Sequence, residues 1–238
     1  LIYFSRPDSR FAGQNVHLFR KALGIKLAEE QPAEADIVIP VPEGGNSAAM
    51  GYSQASGIPL DRGFIRNHYV GRTFILPRAD SRSRKAEIKL NAIPEVVRGK
   101  RVVVVDDSIV RGTTSKSRFS LLRKAGAKEI HVRISCPPHR YPCYYGIDFQ
   151  IKEELIAATR SLKEMPGFLD VDSLGYLSIE GMLSCTPSPK DYCIACFAGK
   201  YPIPVGEEEK KTPSGSPPHA DATPEDREER VGEHTIVV

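Results

Sequence analysis

The sequence predicts an α/β fold, a central and mostly parallel sheet flanked by helices, and three observations carry that prediction. Arg101-Val102-Val103-Val104-Val105 is a continuous apolar run, as expected for a central parallel strand buried on both faces. A Gly/Thr turn follows, then Phe119, Leu122 and Ala125 at helical spacing, then the alternating Ile130, Val132 and Ile134 of another strand. Strand, helix and strand in that order make a βαβ unit. Upstream, a helical pattern, a short apolar strand and a second helix repeat the alternation.

Taken in order, Leu1-Ile2-Tyr3-Phe4 reads as a strand already inside folded structure. The chain starts without Met and without a basic apolar leader, so the expectation is a fragment or processed chain with no secretory signal. Residues 14–30 place Val16, Phe19, Leu23 and Leu27 on one helical face. Residues 36–40 form a short strand. Residues 47–56 form a helix of small residues, stopped by Gly57 with Pro59 beyond. Residues 60–65 read as a further strand. Residues 66–89 are rich in Arg and Ser with little apolar pattern, and a loop of that length is expected to be a functional lid or disordered. The strand at 101–105, the helix stopped by Gly126 and the strand at 129–135 complete the core. Beyond Val205, Glu207-Glu208-Glu209-Lys210-Lys211 and the Pro, Ser, Gly, Asp and Glu after it read as a disordered tail without a site. The expected organisation is one domain over 1–203, with a Cys-rich segment at 185–203, and a tail over 204–238.

Of 238 residues, 40% are hydrophobic and 26% charged, which suits one soluble globular domain with an appendage. A net charge of +3 is too small to argue for nucleic acid. No apolar run approaches the roughly 20 residues a membrane helix needs. Five cysteines, at 136, 143, 185, 193 and 196, are an odd count and argue against a disulfide framework. Reduced thiols or metal ligands in a cytoplasmic protein are the expectation.

The most informative segment runs Val102-Val103-Val104-Val105-Asp106-Asp107-Ser108-Ile109-Val110-Arg111-Gly112-Thr113-Thr114. A buried strand ends at two adjacent carboxylates, at the sheet edge where α/β ligands bind. A loop of small and hydroxyl residues then opens a helix, whose first N–H groups are free and whose end is partly positive. Gly112 permits close approach of the backbone, and Thr113 and Thr114 add hydroxyls, so the segment can cradle a phosphate. The carboxylates can accept sugar hydroxyls or hold a divalent cation. Two Asp side chains merely capping a helix are the plainer alternative.

The whole segment closely resembles the phosphoribosyl-pyrophosphate (PRPP) motif of the type I phosphoribosyltransferases, and V-D-D-S-I-V-R-G-T-T-S resembles the amidophosphoribosyltransferases among them. Ile2-Tyr3-Phe4-Ser5-Arg6-Pro7-Asp8-Ser9 looks like that family's entry to the transferase domain. Asn67-His68-Tyr69-Val70-Gly71-Arg72-Thr73-Phe74-Ile75 looks like its loop signature, with His68 in place of the usual Arg. Tyr144-Tyr145-Gly146-Ile147-Asp148 and Cys196-Phe197-Ala198-Gly199-Lys200-Tyr201-Pro202 match as well. The likeness covers about residues 1–203.

The resemblance implies a type I phosphoribosyltransferase fold and a glutaminase domain upstream that is absent from this chain. It implies that Asp106 and Asp107 contact the ribose hydroxyls and help place Mg²⁺, and that Ser108, Ile109, Val110, Arg111, Gly112, Thr113 and Thr114 hold the 5-phosphate. The loop containing Glu43 and Gly44 then lies near pyrophosphate. The family commonly has Ser or Thr where Gly44 stands, so that hydroxyl contact is missing here. Arg72, Thr73 and Lys89 are the residues expected at the reaction from the long loop. Arg78, Arg82, Arg84 and Lys85 crowd the same loop, as a solvated basic stretch or as a lid closing over a polyanion. The reaction implied is the first committed step of purine synthesis, in which ammonia from glutamine displaces pyrophosphate from PRPP. The resemblance implies a cytoplasmic homo-oligomer, dimer or tetramer, with no nucleic-acid or membrane partner.

Cys193-Ile194-Ala195-Cys196 is a C-x-x-C, compatible with zinc, a redox pair or an iron–sulfur cluster. In one branch of the family, cysteines at the positions of Cys143, Cys193 and Cys196 ligate a [4Fe–4S] cluster, with a fourth ligand just upstream of Leu1. Cys136 and Cys185 fall outside that pattern and read as small hydrophobes. Two other functions share the motif: a PRPP-sensing regulatory module without catalysis, and a transferase acting on a nucleobase. The first needs a DNA-binding helical domain, the second a hood for the base, and neither accounts for the three cysteines or the loop signature.

Overall fold

The computed structural model describes residues 1–66, 90–147, 149 and 151–205. The lid expectation, with Arg72, Thr73, Arg78, Arg82, Arg84, Lys85 and Lys89, and the tail expectation for 206–238 lie outside the described residues.

A small antiparallel ribbon, β1 (Arg10–Phe11) and β2 (Gln14–Asn15), precedes α1 (Val16–Glu30). Asn15 caps α1, its Oδ1 accepting the Leu18 N–H at 3.0 Å, which satisfies one of the free donors of the first turn. Val16, Phe19, Leu23 and Leu27 are all buried, as their spacing requires. β3 (Ile37–Pro40) leads to α2 (Asn46–Ser56), which ends at Gly57 with φ of 72°, the left-handed residue that closes many helices. β4 (Phe64–Arg66) and β5 (Leu90–Ala92) pair antiparallel, Arg66 opposite Leu90. A short α3 (Pro94–Val97), β6 (Arg101–Asp106), α4 (Thr113–Lys124) and β7 (Glu129–Ile134) follow. The remainder holds α5 (Ile156–Thr159), α6 (Met165–Leu169), β8 (Ser173–Tyr176), α7 (Ile179–Ser184) and α8 (Ala195–Ala198).

The main sheet is parallel throughout, in the order β3-β6-β7-β8. On the edge of β3 away from β6, Val38 bridges Leu60 in parallel; the Val38 N–H donates to the Pro59 carbonyl and the Asp61 N–H to the Val38 carbonyl, both at 2.9 Å. The chain therefore leaves β3 in one direction through α2 and returns to β6 on the other side. Right-handed crossovers running in opposite directions place α2 and α4 on opposite faces. The reversal between β3 and β6 opens a crevice at their carboxyl ends, which is where ligands of open α/β sheets bind.

Val102, Val103, Val104 and Val105 are fully buried, and Phe119 and Leu122 of α4 pack into the same core, as the run and the helical spacing require. Three expectations need correction. Leu1 to Phe4 is not a strand; the segment bends, and the nearly buried Arg20 holds it through the Leu1 and Ser5 carbonyls, each at 2.9 Å. The strand expected over 60–65 is divided at Gly63, where any Cβ would run into Ile39; Leu60 bridges Val38 while Phe64–Arg66 joins β5. Arg66 thus belongs to a strand, not to the loop.

Among the described residues, no helix is long and apolar enough to cross a membrane.

Candidate active site at the sheet reversal

β6 ends at Asp106, whose side chain is nearly buried. Its Oδ1 accepts the Asp107 N–H at 2.9 Å, and its Oδ2 stands 3.4 Å from Arg118 Nη1. Asp107 Oδ1 accepts the Ser108 hydroxyl at 2.9 Å. Burial, and then the neighbouring Asp107, push the Asp106 carboxyl up to about 8; burial raises Asp107 too, against the pull of Ser108 and Arg20. Two carboxyl groups in a dry corner resist double ionisation. A divalent cation or a set of hydroxyl donors beside the pair would reverse that.

The 108–112 loop is fixed from below. Ile109 is buried in the core, and the Val110 carbonyl accepts the Ile156 N–H at 3.0 Å. Gly112 has φ of 79°, and a Cβ there would meet Ile156 Cδ1 at 2.6 Å. Conformation and space both demand glycine. Thr113 and Thr114 are exposed at the start of α4, where the first backbone N–H groups lack helical acceptors. The expected phosphate cradle falls at this helix start, an arrangement able to receive a phosphate. Arg111 does not join it: its Nε pairs with Glu154 Oε2 at 2.6 Å on the surface.

The 41–45 loop closes the crevice from β3. Val41 N–H donates to the Val105 carbonyl at 2.8 Å, and Gly45 N–H to the Val41 carbonyl at 2.9 Å. Glu43 Oε2 accepts the Asn46 amide at 2.9 Å. Gly44 lies against Asp107 so closely that a Cβ would overlap Asp107 Oδ2. Glycine at 44 leaves room for the Asp107 carboxyl. Gly44 is thus brought against Asp107, beside Asp106 and Ser108, with Gly112, Thr113 and Thr114 following on the same loop, while Glu43 lines a separate cavity with Asn46, Met50, Arg62 and Arg66. Arg118 and Arg20 belong to its surroundings and were not legible as such. Arg20 sits beside Phe19 in an ordinary amphipathic pattern, and nothing in the spacing of Arg118 sets it apart from the other basic residues of α4.

Below the entry segment is a second feature. Cys143, Cys193 and Cys196 line one largely apolar cavity of about 200 Å³, together with Leu1, Tyr3 and Phe197. Burial, and then the neighbouring Cys143 and Cys193, push the Cys196 thiol up to about 12, so these thiols are close enough to oppose one another's ionisation. Among the described residues, no three of His, Cys, Asp or Glu converge as they would on a single metal ion. Cys136 is fully buried in the core and Cys185 is half-buried beside α7, in keeping with their reading as small hydrophobes. His139 is fully buried against Tyr3, Phe149 and Phe197, with neither ring nitrogen hydrogen-bonded among the described residues, and burial pushes it down to about 4.

A twin-acid crevice at a sheet reversal, beside a glycine–threonine helix start, is an arrangement in keeping with the phosphoribosyl transferase class. The phosphoribosyl transferase domain model matches residues 17–142, and the chain belongs to that family. Within it, the likeness is to the amidophosphoribosyltransferases. The chain is 51% identical over 205 residues to the amidophosphoribosyltransferase of Methanothermobacter thermautotrophicus, covering 86% of this chain and 43% of that protein. It is 52% identical over 209 residues to the one from Bacillus subtilis, covering 86% and 44%. Among solved structures, the glutamine PRPP amidotransferase from B. subtilis complexed with ADP and GMP superposes with a TM-score of 0.79 at 51% identity, covering 87% of this chain and 47% of that one. The chain spans less than half the length of these relatives.

Proposed function

We propose that this chain is the PRPP-binding, ammonia-transferring part of an amidophosphoribosyltransferase, acting in the cytoplasm with a glutaminase domain. The complete reaction converts PRPP, glutamine and water to 5-phosphoribosylamine, glutamate and pyrophosphate. The observation that carries the reading is the meeting of Asp106, Asp107 and the phosphate cradle with the Gly44 loop in one crevice.

The 5-phosphate sits on the free N–H groups at the start of α4. Asp106 and Asp107 accept the ribose hydroxyls and stabilise the sugar as positive charge develops at the anomeric carbon. The 41–45 loop faces the leaving pyrophosphate. The paired carboxylates suit a hard cation, and Mg²⁺ held there would neutralise the leaving group. Arg72, Thr73 and Lys89 of the long loop would complete the site and exclude water.

The test is Mg²⁺-dependent pyrophosphate release from PRPP, with ammonium or with nucleobases as acceptor. Release with ammonium is expected. Release with nucleobases alone, or PRPP binding without release, overturns the proposal; the second result would instead fit a regulatory module.

For the cysteines, the donor set and the apolar walls suit a [4Fe–4S] cluster, whose thiolates stand farther apart than those on one ion. Leu1 lines the same cavity, which is compatible with the fourth ligand the family resemblance implies. Anaerobically purified protein is expected to be brown and iron-loaded, and C193S and C196S to lose iron and colour together. A colourless, zinc-loaded protein would reject the cluster.

A further inference from the structure

Asp106 is only 3% exposed, and its nearest like charge is the adjacent Asp107. Charged groups reach the pair from two helices. From α1, Arg20 approaches Asp107, but its guanidinium is already engaged by the Leu1 and Ser5 carbonyls. From α4, Arg118 places Nη1 3.4 Å from Asp106 Oδ2 and makes no other hydrogen bond among the described residues. Cys136, after β7, and Tyr176, at the end of β8, also lie near the pair, and burial keeps both neutral. Arg118 is thus the cation directed at Asp106. Long side chains on a helix lean toward its N-terminus, so Arg118 reaches back beneath the phosphate loop, which is bracketed by the two residues it joins.

We propose that Arg118 is a positioning residue for the sugar: it holds the buried carboxylate of Asp106 in place, against the repulsion of Asp107, in the orientation that receives the ribose hydroxyls. The proposal rests on the PRPP reading. It assigns Arg118 to the sugar half of the site and not to the phosphate half, since Asp106 Oδ2 and the N–H groups of Thr113 and Thr114 are separate contacts.

The experiment measures, by calorimetry on the full chain, binding of ribose 5-phosphate with Mg²⁺ and, separately, of inorganic phosphate. In R118M, ribose 5-phosphate binding is expected to weaken by about tenfold or more, the scale of one charge-assisted hydrogen bond. Inorganic phosphate should stay within about twofold, and R118K should restore most of the sugar-phosphate affinity by returning the charge. Unchanged ribose 5-phosphate binding in R118M overturns the proposal. So does an equal loss of both ligands, which would mean that Arg118 merely supports the helix. Should R118M fail to fold, R118Q and R118K are compared on the same two ligands. Wild-type protein that binds neither ligand sinks the PRPP reading itself.

Discussion

Asp107→Asn is expected to lower ammonium-driven pyrophosphate release from PRPP by at least about a hundredfold, the usual scale for removing one group aimed at a developing charge. The same change should leave thermal stability equal or raised. Asp107 lies beside Asp106 in a dry corner, and burial works against the charge of both. Removing one charge relieves repulsion, while the Asn side chain retains an oxygen to accept the Ser108 hydroxyl. A residue kept only for structure behaves in the opposite way, losing stability before activity. Pyrophosphate-release rates and the unfolding midpoint of the variant check this. Near wild-type turnover in Asp107→Asn would remove the acid from the mechanism.

Much of the site was legible because its chemistry is local. Strand, twin acids, loop and helix start follow one another within thirteen residues, and the Val102–Val105 run could only be a buried strand. The 41–45 loop could be placed only through the family resemblance, because its contact with Asp107 depends on the parallel pairing of β3 with β6. β8 was missed for a related reason. Ser173-Leu174-Gly175-Tyr176 offers only two apolar residues around an interior glycine, too little to announce a strand, and its strand state is imposed by pairing with β7. The entry segment misled in the other direction. Leu1 to Phe4 has strand composition, but Arg20 takes the backbone carbonyls a sheet would have used. Arg118 was missed because a side chain reaching back along a helix to the preceding strand leaves no spacing signal.

The position of the 41–45 loop depends on a close helix contact behind it, and Gly51→Val is expected to break both. α1 and α2 approach so tightly that a Cβ on Gly51 would strike the Lys21 carbonyl, with the Ile25 nitrogen 2.9 Å away. A Cβ on Gly24 would likewise strike the Ala48 carbonyl. The obstacles are backbone atoms in helices, which cannot rotate aside as a side chain would. The cost should therefore be at or above the upper end of ordinary overpacking, about 3 kcal/mol. Because α2 begins directly after Gly45, any protein that still folds must shift α2 outward and carry Gly44 away from Asp107, so ribose 5-phosphate binding should fall with stability. Gly57→Ala separates this from a general glycine effect. Gly57 closes the same helix at φ of 72° with nothing among the described residues within 4 Å of a Cβ, so the change should cost only about 1 kcal/mol of backbone strain and leave binding intact. Chemical denaturation and calorimetry on the two variants decide the matter. Equal losses in both would mean that the helix contact does not set the loop, whereas loss confined to Gly51→Val ties the spacing of two helices to the geometry of the acids in front of them.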